Sequence, residues 1–204
     1  YALTNNKHEI QMIILQLVTL PFILSMALFS AEPEAETTAS AAFEVDSTHS
    51  TSIFRTQHMG AGMFYGRFND IAGTIQFVED MPAFDITIDI ASVDTNNSRL
   101  DSHLKSPDFF NVVEFPVMTF VSTSSKKIGD EKYEVVGEFS MHGVSKTITV
   151  LMAKTGQMKN SRGEKVGFET EFSIKRTDYD MPYGIESGSL ADETKIIVAL
   201  EAGR

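Results

Sequence analysis

A chain of 204 residues with a formal charge of -11 and no cysteine is long enough for one domain with a sizeable core plus a targeting segment. The acidic balance excludes a nucleic-acid surface, which needs clustered Lys and Arg to neutralise phosphates. The absence of cysteine excludes disulfides, thiolate metal centres, Cys nucleophiles and a lipid-modified N-terminal Cys.

No charge occurs between Ile10 and Ala31, and Met12 to Phe29 is almost wholly apolar. Lys7 supplies a weak positive flank, Pro21 breaks the apolar run, and Ser25-Met26-Ala27 is a small-x-small cleavage site, so residues 1–31 read as an export signal. An uncleaved anchor is the alternative, because the run is near the length that spans a bilayer. Both readings put the following domain outside the cytoplasm, periplasmic or secreted. Residues 32–42 are Ala, Glu, Thr, Ser and Pro with nothing to bury, and read as a disordered acidic linker. The folded domain is expected over residues 43–204.

Within it, apolar residues recur at every second position. The pattern runs through Phe64, Gly66 and Phe68, then Ile71, Gly73, Ile75 and Phe77, then Phe84, Ile86, Ile88 and Ile90. It resumes in Val135, Gly137, Phe139 and Met141, in Val144 to Met152, in Val166, Phe168, Thr170, Phe172 and Ile174, and in Ile196, Val198, Leu200 and Ala202. This is the period of strands with one dry face and one wet face. About eight such strands, joined by short turns and without long helical patterns, predict an all-β, eight-stranded antiparallel barrel. Such a barrel holds side chains or one slender ligand, and the inward glycines Gly66 and Gly137 are expected to open space for a channel. A barrel filled by its own side chains is the competing expectation.

The long polar and aromatic run from Arg99 to Pro116 interrupts the strands and reads as a short helical insert. Arg99 and His103, four apart, share one face of that helix. Phe109, Phe110 and Phe115 are expected to plug the insert onto the barrel. Arg176 continues the inward phase of Phe168, Phe172 and Ile174, so it needs either a carboxylate from the barrel wall or a polar ligand head. His58 follows Phe54 and Thr56 in phase and falls at the barrel rim, as a structural residue or a ligand contact.

His49, His58, His103 and His142 fall in the domain without HxH, HxxxH or HExxH spacing, so no metal site is expected. Asp46-Ser47-Thr48-His49-Ser50 holds the residue types of a catalytic triad, but neighbours on one strand do not converge as nucleophile, base and orienter. Gly60-Ala61-Gly62 with Gly66 misses the dinucleotide spacing, and no cofactor is expected.

From Phe43 onward the chain resembles the YceI-like family of exported, lipocalin-like polyisoprenoid-binding proteins. The resemblance rests on the joint order of Asp46-Ser47-Thr48-His49-Ser50, His58-Met59-Gly60, Val93-Asp94-Thr95-Asn96, Arg99, His103 through Phe110, Phe115-Pro116, Gly137, His142-Gly143, Arg176-Thr177-Asp178-Tyr179 and Asp192-Glu193. Similar sequences often carry Gly where Asp180 stands here. The resemblance implies a lipocalin-like barrel with a helical insert, an interior channel for a polyisoprenoid or similar long-chain amphiphile, and no enzymatic activity. Strand phase then assigns the channel and its polar end to His58, Phe64, Gly66, Phe68, Arg99, His103, Phe109, Phe110, Gly137, Phe139, Phe168, Phe172, Arg176 and Tyr179. The expected function is a periplasmic or secreted binding protein for transport, storage or sequestration of such a lipid. An extracytoplasmic enzyme using the His and Asp residues, or a metal-binding stress protein, is the alternative; transient membrane contact and a homodimer stay open.

Overall fold

The structure is a computed structural model that describes residues 41–204. The proposed export signal and all but the last two residues of the linker lie outside the described residues. The chain enters through β1 (Phe43–Val45) and β2 (Thr51–His58), two pieces of one run broken by a turn at Ser47-Thr48-His49. β3 (Gly62–Phe68), β4 (Ile71–Val78) and β5 (Met81–Asp89) follow through short connections. A 3₁₀ turn at Ile90–Ser92 leads to β6 (Val93–Asp94) and then to α1 (Ser98–Leu104). The remainder is β7 (Val117–Gly129), β8 (Lys132–Met141), β9 (Val144–Asn160), β10 (Gly163–Lys175), a 3₁₀ turn at Arg176–Tyr179 and β11 (Leu190–Gly203).

Every pairing is antiparallel, and the ring β1-β4-β5-β7-β8-β9-β10-β11 closes through β1 and β11. This is the eight-stranded antiparallel barrel expected from the alternation, and it is lipocalin-like as the resemblance implies. β2 pairs with β11 beyond β1 and carries β3 and the short β6 beside it. Closure removes free edges along most of the sheet. The β8–β9 hairpin turns on His142 and Gly143, with φ of 51° and 76°, the pair of positive values that matches the twist of the flanking strands.

The inward sets are the ones the two-residue period marks. Val135, Phe139 and Met141 on β8, Val166, Phe168 and Ile174 on β10, and Ile196, Leu200 and Ala202 on β11 are all buried. β7 is the strand that alternation does not mark. Its apolar phase ends after Met118 and Phe120, and a bulge between Ser122 and Ser124 resets the register against β8. There the hydroxyls serve the backbone: Ser122 Oγ accepts from Phe84 N at 2.7 Å, and Ser125 donates to the Pro82 carbonyl.

Asn97 caps α1, its Oδ1 accepting from the Arg99 and Leu100 amides at 3.1 and 3.2 Å. Asp101 ties the helix back to the sheet side, accepting from Thr95 N at 2.8 Å and Thr95 Oγ1 at 2.7 Å. Leu104, Phe109 and Phe110 are buried beneath the insert. Phe115 does not join them. It packs against the His142 ring at 4.8 Å, next to the β8–β9 turn, because Gly143 leaves room there that a Cβ would fill.

Candidate functional site

Inside the ring is a cavity of about 630 Å³, within the size range of small-molecule sites. It reaches the surface beside the β2–β3 turn, where the lining residues His58, Gly62 and Met63 are exposed. On β10 the lining ends at Thr170; the next inward residue, Phe168, is buried and packs edge-on to Phe84 at 5.1 Å and against Phe77 and Tyr133, both at 6.3 Å. Toward the mouth one wall is aromatic. Phe54 stands 5.7 Å from Phe68 and 6.3 Å from Phe64, and Phe110 sits 5.4 Å from Phe68. At the rim His103 Nε2 bonds Asp108 at 3.0 Å, and its ring meets Phe109 and Tyr183 at 5.0 and 5.2 Å.

The cavity wall includes nine of the positions assigned by strand phase: His58, Phe64, Phe68, His103, Phe109, Phe110, Phe139, Phe172 and Arg176. Five others lie elsewhere. Gly66 is inward but covered by the Phe54 ring, and Gly137 is covered by Phe120, whose ring atoms would sit 2.6 and 2.7 Å from an added Cβ. These glycines make room for aromatic rings rather than for a ligand. Arg99 is exposed, since α1 presents His103 and Leu104 to the cavity and turns Arg99 to solvent. Phe168 lies one inward position beyond the lining on β10. Tyr179 is buried against Phe139 at 5.5 Å, with its carbonyl accepting from His142 Nδ1 at 3.1 Å, and burial pushes its phenol pKa up.

Phase reasoning missed Phe54, Phe120, Tyr183 and Thr194 as wall residues. Thr194 carries a usable signal, since it extends the inward phase of Ile196 and Val198. Tyr183 lies in an irregular loop, where no period exists to find it.

Two buried polar wall residues, Arg176 and Thr194, lie where β10 and β11 approach the mouth. Arg176 is buried; its Nε donates to the Ala191 carbonyl at 3.0 Å, and Nη1 donates to the carbonyls of Met181 and Tyr183 at 3.2 and 3.0 Å. Of the two alternatives for Arg176, the pairing with a wall carboxylate is not formed among the described residues. Burial lowers the guanidinium pKa, and the charge of Asp192 opposes that shift. Asp192 is itself pushed up by desolvation, but the backbone and hydroxyl hydrogen bonds from Thr177, with the charge of Arg176, hold it below the usual carboxylate value. Asp180 is exposed, and its φ of 54° shows that it fills a left-handed backbone position.

Far from the mouth, Asp46, His49 and Glu201 converge, with His49 Nδ1 2.8 Å from Asp46 Oδ2 and 3.9 Å from Glu201 Oε1. Lys165 bridges the same two carboxylates, so a cation arriving there would have to displace it. Ser50 does not approach His49 as a nucleophile would: its Oγ donates to the Glu201 carbonyl at 3.3 Å and accepts from the Glu201 amide at 3.0 Å. The Asp46 to Ser50 run thus holds β1, β2 and β11 together.

Comparison with known proteins gives the family. Residues 43–202 match the model of the YceI-like domain. The chain belongs to the YceI-like family. It is 36% identical over 185 residues to Protein YceI of Escherichia coli O157:H7, covering 88% of this chain and 95% of that protein. The crystal structure of the Campylobacter jejuni YCEI protein is similar with a TM-score of 0.66 at 32% identity, over 72% of this chain and 89% of that one. A polyisoprenoid binding domain from Saccharophagus degradans, implicated in plant cell wall breakdown, shares the fold with a TM-score of 0.65 at 17% identity, over 79% of this chain and 97% of that one.

Proposed function

We propose that this protein is a binding module that holds a polyisoprenoid or similar long-chain amphiphile in the barrel, shields it from water and performs no covalent chemistry on it. The observation that carries this reading is the cavity itself, lined mainly by aromatic and aliphatic side chains, with hydroxyls at Ser52, Thr119 and Thr170 and its one buried charge, Arg176, toward the mouth. Burial of a hydrocarbon chain at about 25 cal/mol per Å² of apolar surface supplies affinity without directional contacts. The Saccharophagus degradans domain, named for polyisoprenoid binding, supports the ligand class. The apolar stretch between Ile10 and Ala31 supports a periplasmic or secreted site of action, where such a protein would transport, store or sequester its lipid. Exposed Met59, Met63 and Tyr183 suit transient contact with the membrane from which a chain is drawn.

Native mass spectrometry of protein purified from an exporting host tests the reading. The expected result is a bound mass that organic solvent releases as a long-chain lipid. A ligand-free mass, combined with failure to take up added geranylgeraniol, would overturn it.

A further inference from the structure

We infer that Arg176 Nη2 and Thr194 Oγ1 form a seat for a carboxylate head on the bound chain. This rests on the lipid-binding reading above and specifies the chemistry of the ligand's polar end.

Both atoms are buried and have no hydrogen-bond partner among the described residues, and both belong to residues that line the cavity. Arg176 and Thr194 are themselves only 6% and 7% exposed. Buried donors of this kind are normally satisfied, so two orphans on one wall of one cavity call for an explanation. They belong to one patch. Thr194 pairs in register with Ile174 on β10 and with Thr56 on β2, and Arg176 opens the 3₁₀ turn two residues after Ile174, with all four residues in the cavity lining. The Thr56 hydroxyl reaches the Ala191 carbonyl at 3.5 Å, the same carbonyl that takes Arg176 Nε at 3.0 Å.

Three backbone carbonyls hold the guanidinium in place, but they carry dipoles and no net charge. The nearby carboxylate of Asp192 is engaged by Thr177, at 2.9 Å from its amide and 2.8 Å from its hydroxyl, and makes no ion pair with Arg176. The arrangement is therefore a fixed, buried cation with one unpartnered Nη2, on a residue in the wall of a mainly apolar cavity, which is costly until an anion arrives. A carboxylate brings one charge and two oxygens, one for Nη2 and one for the Thr194 hydroxyl. An alcohol brings no charge. A phosphate monoester brings about -1.5 to -2 charges and three oxygens against one guanidinium, and leaves part of both unmatched. The position also suits a head: Arg176 and Thr194 lie toward the mouth, with Phe172, Ile196 and Leu200 deeper for the tail.

Three probes with the same hydrocarbon chain separate these cases: geranylgeranoic acid, geranylgeraniol and geranylgeranyl phosphate. Their dissociation constants are measured by calorimetry on the delipidated protein at mildly alkaline pH, where the acid is ionised. The expected result is that the acid binds about ten-fold tighter than the alcohol and tighter than the phosphate, as one charge-assisted pair implies. Arg176→Met removes that preference while changing alcohol affinity by less than about three-fold, because it keeps the packing volume. Thr194→Val lowers acid affinity by roughly three- to ten-fold and alcohol affinity by clearly less. If Arg176→Met does not fold, Thr194→Val carries the test alone. Equal binding of acid and alcohol by the unaltered protein, tighter binding of the phosphate, or equal loss of acid and alcohol in the variants would each overturn the carboxylate seat while leaving the lipid reading intact. Binding of none of the three chains would overturn both.

Discussion

The ring of Phe54 lies over Gly66, its cross-strand partner in the β2–β3 pair, and occupies the space that any side chain at position 66 would need. An inward glycine in this barrel is thus half of a packing unit, with the other half supplied by the neighbouring strand. Gly66→Ala should push the ring into the cavity, destabilise the fold by about 1–3 kcal/mol and reduce lipid occupancy together. Thermal melting and native mass spectrometry on one sample read both; unchanged values in each would show that the ring moves aside freely.

Phe110 joins the insert to the barrel by standing between Phe68 at 5.4 Å and Phe54 at 6.5 Å. Phe110→Ala should cost about 3–5 kcal/mol of unfolding free energy, the range for a buried aromatic truncation. It should also shorten ligand residence, since the same ring is part of the cavity wall. Urea titration and a chase with unlabelled lipid measure the two effects.

Stability should fall on acidification below the ordinary glutamate pKa. Hydrogen bonds from Arg204, at 2.8 and 3.1 Å, and from Gln157, at 2.7 Å, hold the Glu164 carboxyl below its usual value of 4.5. In the window between the folded and unfolded values the unfolded chain binds the proton and the folded one does not. The stabilisation is therefore complete above about pH 4.5 and is lost as pH falls through the lower folded value. Glu164→Gln should flatten this limb of a plot of urea midpoint against pH; a limb of unchanged slope would assign the acid sensitivity to Asp46, Asp94 and Asp192.

Asp180 ends the 3₁₀ turn at Arg176–Tyr179 with a φ of 54°, where glycine is unstrained. Asp180→Gly should raise stability by up to about 1 kcal/mol, a melting shift of roughly 2–4 °C for a domain of this size. Ligand preference should not move, because the Asp180 side chain is exposed and does not touch Arg176. A change in acid-over-alcohol preference would show that its charge reaches the cavity.

The barrel is readable in the sequence because burial on one face of a strand leaves a two-residue rhythm, as in Phe84, Ile86 and Ile88. β7 escapes that reading because its hydroxyl residues serve backbone groups of β5, a role with no hydropathy signature. The same limit governs the site. Phase alone places Arg176 and Phe172 in the interior, but the three carbonyls that hold Arg176 belong to Ala191, Met181 and Tyr183, whose side chains advertise nothing about them. Phase also turns Gly66 and Gly137 inward, yet what fills the space beside them depends on strand register, which places Phe54 over the first and Phe120 over the second. Helical spacing groups Arg99 with His103, but the rotation of α1 leaves only His103 at the cavity.

The cavity lining on β10 ends at Thr170, and the rings packed around Phe168 occupy the barrel beyond it, which sets a limit to the depth available to a chain. A guest seated with its head at Arg176 and Thr194, as proposed, would enter tail first and leave head first. On the proposed lipid-binding reading, loading and unloading would both use the rim at His58 and Met63. Each additional carbon must be withdrawn past Phe54, Phe64 and Phe110 before the end comes free, which ties the dwell time of a cargo to its length.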